Sequence, residues 1–145
     1  MDVLAQIDDA VALSRTDAAG ARTELAQLWD SVGDDPLHRC AIAHAMADLQ
    51  TSADDELMWD RRALAAGLLL DDDQLVSAGM AANVEHMLAS LHLNLADVHR
   101  RLGNVDESRT HVVAATAALK AVSPDGYTEM IREALARISG RDHAN

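Results

Sequence analysis

Four residues in one short stretch, His38, Cys40, His44 and Asp48, are of the types that bind metal, and Cys40 to His44 and His44 to Asp48 are each one helical turn apart. A thiolate and an imidazole on one helix face can begin a zinc site. The sequence supplies no CxxC pair to complete it, and Cys40 and His44 also lie on an apolar stripe. A packed thiol and a hydrogen-bonded histidine are therefore the favoured account, with a small metal-binding protein or metal-dependent enzyme as the alternative. His92 and His99 repeat the problem two turns apart on another segment, within reach of His44 or His86 across a helix pair. Packing again explains them, with pH sensing or metal behind it.

Carboxylates cluster at Asp34-Asp35, Asp54-Asp55-Glu56 and Asp71-Asp72-Asp73. Each run falls at an expected helix start, where carboxylates accept from free N–H groups and favour the positive end of the helix dipole. The loop spacing of a calcium site, with its glycine and final glutamate, is absent. Arg61-Arg62 and Arg100-Arg101 fall toward helix C-termini, where the same dipole favours cations. There is no GxSxG, P-loop, dinucleotide fingerprint or HExxH motif. No catalytic residue and no cofactor is expected, and the chain reads as a non-enzyme.

Such residues must be carried by helices. Apolar residues recur at spacings of three and four through Val3–Val11, Leu25–Val32, Leu37–Ala47, Leu57–Leu68, Val84–Leu102, Val105–Leu119 and Tyr127–Ile138. Breaks fall at Ser14-Thr16, with Thr16 capping the second helix, and at Gly33, Thr51-Ser52-Ala53, Gly103-Asn104 and Ser123-Pro124. Asp71 starts the longest segment, with a bend near Gly79 or Ala89-Ser90. Both prolines, Pro36 and Pro124, punctuate helices rather than interrupt them. Without Phe, and with one Tyr and two Trp, the core is built from Leu, Val, Met and Ala. The expectation is an all-α chain of about seven helices with no sheet, a single domain over residues 1–139 and a frayed tail over 140–145.

The segment Leu91-His92-Leu93-Asn94-Leu95-Ala96-Asp97-Val98-His99-Arg100-Arg101-Leu102-Gly103-Asn104-Val105-Asp106-Glu107-Ser108 resembles a tetratricopeptide repeat. Leu95 matches the first-helix leucine, Ala96 the small residue after it, Gly103 the turn glycine, and Ser108 and Ala115 the small positions of the second helix. His92 and His99 stand where the family often has Trp and Tyr, and Val112 at a large apolar position. A second copy over Leu37–Leu70 is degenerate: Ala63-Leu64 fit the end of a repeat, whereas Glu56 and Asp60 depart from the pattern. The segments Asp35–Cys40 and Ser90–Ala96 also look like those of small bacterial, particularly actinobacterial, members.

The resemblance implies antiparallel helical hairpins stacked as a short right-handed solenoid that binds protein or peptide as an adaptor or scaffold. First-helix residues contact ligands in the family, which points to Asn94, Asp97 and Arg101, spaced by three and four on one face. Members that capture C-terminal carboxylates use Asn, Lys and Arg, but Lys120 is the only lysine here and the net charge is −12. A basic or mixed partner fits better, and the charge argues against nucleic acid and anionic membrane. Self-association is the rival, through Trp29, Tyr127, Met130 or Ile131 at an open end, giving a homodimer. A lone cysteine, no basic-apolar leader at Met1-Asp2-Val3 and no apolar run of about 18 residues lead to a cytoplasmic expectation.

Overall fold

The computed structural model describes residues 2–80 and 83–144, with side chains through residue 140. Among the described residues there are eight helices and no strand: α1 (Val3–Leu13), α2 (Ala18–Ser31), α3 (Pro36–Asp48), α4 (Ala53–Gly67), α5 (Asp72–Ser77), α6 (Val84–Arg101), α7 (Val105–Lys120) and α8 (Gly126–Ala144). They form two compact units, residues 1–70 and residues 71–145.

In the first unit, short polar side chains set most helix starts. Asp2 accepts from the N–H of Leu4, Asp35 from His38 and Ser52 from Asp55. Each satisfies a donor that the first helical turn leaves open. Pro36 follows Asp35 at the first helical position, where its missing N–H costs nothing. For α2 the cap is Asp17, which accepts from Gly20, and not the expected Thr16. Thr16 is drawn the other way, its hydroxyl donating to the carbonyl of Leu13 at the end of α1.

Helix α3 is the centre of this unit. It buries Cys40, Ile42, Ala43, Ala45, Met46 and Ala47 and packs against α1, α2 and α4. Burial on several sides explains why its apolar residues do not keep to one narrow stripe. Ile7, Ala10, Ala21, Leu25, Leu57 and Ala63 complete the core. Arg22 donates to the carbonyl of Leu49 at 2.9 Å, tying α2 to the C-terminal end of α3.

The two tryptophans meet between α2 and α4. Their rings are edge to face, with centroids 5.1 Å apart. Arg39 lies 4.3 Å from the Trp29 centroid and Arg62 lies 4.6 Å from that of Trp59. Arg39 also donates to the carbonyl of Gly33, whose φ of 63° is the left-handed turn expected there. Arg62 thus engages an aromatic face as well as occupying a helix C-terminal half.

In the second unit, the long segment expected after Asp71 is divided. Helix α5 ends in a turn at Gly79, φ 77°, and α6 begins afresh at Asn83, which accepts from the N–H of His86. Asp71 and Gln74 form a reciprocal capping box, and Asp72 accepts from the N–H of Val84 at 3.0 Å, so an acid of α5 also secures the start of α6. The added break raises the helix total above the expected seven or so.

Helices α6 and α7 pack along one another across the Gly103 turn, φ 82°, and α8 packs against both. The core joins Ala89 of α6, Ala115, Ala118 and Leu119 of α7, and Ile131 and Leu135 of α8. Helix α8 continues through Ala144, past Gly140; residues 141–145 of the expected tail lie outside the described side chains. No described helix is long and apolar enough to cross a membrane.

Candidate functional site

Small residues bring α6 and α7 into close approach. Ser108 is fully buried and its hydroxyl donates to the Ala96 carbonyl at 2.8 Å, with Ala96 itself buried. A larger side chain at either position would hold the backbones apart. The Ser108 bond also satisfies a hydroxyl that burial would otherwise leave costly.

This close seam brings together three imidazoles. His92 Nδ1 lies 2.9 Å from His111 Nδ1, and the His99 ring stacks on His111 with planes 8° apart and centroids 5.5 Å apart. Burial pushes the pKa of His92 below its ordinary value, because the cation loses water it would otherwise have. His99 is 2 % exposed, and its Nδ1 meets the side-chain amide nitrogen of Asn104 at 3.1 Å. The sequence places His92 and His99 at packing positions between helices, and they pack there. No sequence motif singles out His111. Its register was available: it lies three residues after Ser108 and four before Ala115, on the face that meets α6.

Asp97 and Arg101 of the expected contact face are joined. Arg101 Nε donates to Asp97 Oδ2 at 3.0 Å, while Arg100 donates to Asp97 Oδ1 at 2.9 Å. Partial burial alone would raise the Asp97 pKa, but hydrogen bonds from both guanidinium groups, together with their charges, outweigh it and hold the carboxyl below its usual range. Asn94 is half-buried on the same helix, one turn before Asp97. Asn94, Asp97 and Arg101 together offer an amide, an anion and an exposed guanidinium along α6.

The earlier metal-type set is arranged differently. Cys40 is buried, and loss of water pushes its thiol up to about 11, so it stays protonated at neutral pH. His38 faces Asp35 at 3.7 Å, His44 is half-buried and Asp48 is exposed. Among the described residues, no group of three or more His, Cys, Asp or Glu side chains is placed to hold a metal ion.

The acidic runs serve helix starts: Asp35 and Asp71 accept from backbone N–H groups, and Asp54, Asp55 and Glu56 occupy the first turn of α4. Near the start of α8, Asp125 and Thr128 exchange hydrogen bonds at 2.8 Å. The Thr128 N–H, foremost, holds the Asp125 carboxyl below its usual range, with His86 contributing from 3.6 Å. Of the residues considered for self-association, Ile131 is buried and Trp29 half-buried, whereas Tyr127 and Met130 are exposed.

No protein-family model, curated protein or solved structure matches the chain.

Proposed function

We propose that this chain is a noncatalytic adaptor built from tetratricopeptide-like hairpins, and that the α6 face bearing Asn94, Asp97 and Arg101 binds a protein or peptide segment. The observation that carries the reading is the α6–α7 seam. Ala96, Gly103, Ser108 and Ala115, the small residues on which the resemblance rests, sit at the close approach, at the left-handed turn and in the buried core. A hairpin held so closely fixes the half-buried Asn94 and Asp97 and the exposed Arg101 along α6, a polar row that an extended segment can meet.

Charge selects the partner's chemistry. The chain carries −12 overall, so a basic segment is attracted at long range. The cytoplasm is the compartment this reading assigns. A selection from a displayed random-peptide library, with the purified chain as bait, tests it. Enrichment of a Lys- or Arg-bearing consensus is expected; a library that returns no consensus after repeated rounds would overturn it.

Self-association is a second reading, favoured by Tyr127 and Met130, which are 43 % and 56 % exposed near the start of α8. Light scattering across a concentration series addresses it. A mass that rises with concentration and falls back to that of one chain in Met130→Glu supports a homodimer, and a constant single-chain mass rejects it.

A further inference from the structure

We propose that His92 and His111 share one proton across the α6–α7 seam, and that giving each Nδ1 its own proton parts the two helices, making this hairpin an acid-sensitive element. The inference is independent of any partner. It starts from the 2.9 Å separation of the two Nδ1 atoms. A ring nitrogen in imidazole is either an N–H donor or a lone-pair acceptor, so this contact needs one of each. The neutral pair satisfies it, and so does a pair carrying a single extra proton at an Nε2. A second extra proton, taken from solvent, must add to the accepting lone pair. N–H then faces N–H, the hydrogen bond is lost, and two cations lie with ring centroids 5.2 Å apart.

The surroundings reinforce the limit. His99 of α6 lies flat against His111, so a cation on His111 also raises the cost of charging His99. With the Asn104 amide nitrogen turned to it, His99 Nδ1 is an acceptor, and a proton there would displace that bond too. On α6 the nearest charged residues in sequence are Asp97, Arg100 and Arg101, which pair among themselves. On α7 the charges within about a turn of His111 are Glu107 and Arg109, both exposed. Helix α8 carries Glu129, Arg132, Glu133 and Arg137, with Glu129 and Arg132 paired at 3.9 Å. His86, at the start of α6, pairs instead with Asp125.

The sign follows from proton counting. In the unfolded chain each imidazole takes a proton near pH 6.5, whereas the folded pair takes its second only at lower pH. Below about pH 6.5 the unfolded chain therefore binds more protons, and stability falls as pH falls. The seam is at full strength above that value. With the first proton taken near the ordinary value, a second protonation depressed by one unit makes the folding equilibrium about sevenfold less favourable at pH 5 than at pH 7.5, and a larger depression makes it less favourable still.

The test is side-chain nitrogen NMR of the full chain through a pH titration, paired with urea unfolding. At about pH 7.5, one Nδ1 of the pair should carry a proton and the other should not, and the two rings should titrate in coupled steps, the lower well below the ordinary histidine value. The urea midpoint should fall with acid, and the fall should shrink in His111→Asn, whose amide can donate or accept without titrating. His92→Asn is the second variant if the first does not fold, and the wild-type spectrum decides if neither does. Independent titration of both rings near the ordinary value, or an acid dependence unchanged in a folded variant, overturns the proposal.

Discussion

Residue chemistry here is governed by how each side chain is paired or hidden. Cys40 looks like a metal ligand by type, yet burial keeps its thiol protonated up to about 11. In the folded chain near pH 8 it should therefore react with a disulfide reagent at least ~100-fold more slowly than after denaturation, since the thiolate is the nucleophile. Equal labelling rates in buffer and denaturant would contradict the burial. Asp97 is the opposite case, a carboxylate held ionised by two arginines. Its contribution is present above the ordinary carboxylate pKa and is lost as pH falls through the depressed folded value. Because the group is 38 % exposed, Asp97→Asn should cost only about 0.5–1 kcal/mol in urea unfolding near neutral pH, with the loss vanishing in acid. A pH-independent loss would show that its charge is not what matters.

At the scale of elements, the sequence was most readable where local chemistry decides. Asp35-Pro36 and Ser52 mark helix starts, and Gly33 and Gly103 mark left-handed turns, because capping and positive φ depend on a few adjacent residues. The division of α5 from α6 was harder to see. Val84 onward keeps helical spacing, and only Gly79 and the Asn83 cap reveal the new start. His111 was hidden for another reason: its partners lie on another helix, so its role depends on how α7 turns against α6.

That seam also gives a direct prediction. Ser108→Ala removes the bond to Ala96 and should cost about 1 kcal/mol, while Ser108→Leu must wedge the helices apart and cost about 1–3 kcal/mol or more. Denaturant unfolding of both variants measures this; equal small losses would mean that the helices are not closely apposed there. In the first unit, a Cβ at Gly20 would come within 2.2 Å of Asp17 Oδ2, so Gly20→Ala should displace the cap of α2. The lost cap costs about 0.5–2 kcal/mol, offset by roughly 1 kcal/mol of helix propensity that alanine has over glycine, so Gly20→Ala should cost less than Asp17→Ala and should not add to its loss in the double variant. Additive losses would place the effect of Gly20 elsewhere.

For the whole molecule, the proposed adaptor role turns on net charge. The chain's charge of −12 attracts basic segments over a distance that shortens as salt rises, so binding of a basic peptide should weaken steadily from low to physiological ionic strength. Affinity indifferent to salt would exclude charge as the selector. The measurement that bears most directly on the adaptor reading is calorimetric titration of a display-selected basic peptide into the wild type and into the variant Asn94→Ala/Asp97→Lys/Arg101→Glu. The α6 face predicts binding to the wild type and at least about tenfold weaker binding, or about 1.4 kcal/mol, to a variant that remains helical. Equal affinity for both would contradict the assignment of that face.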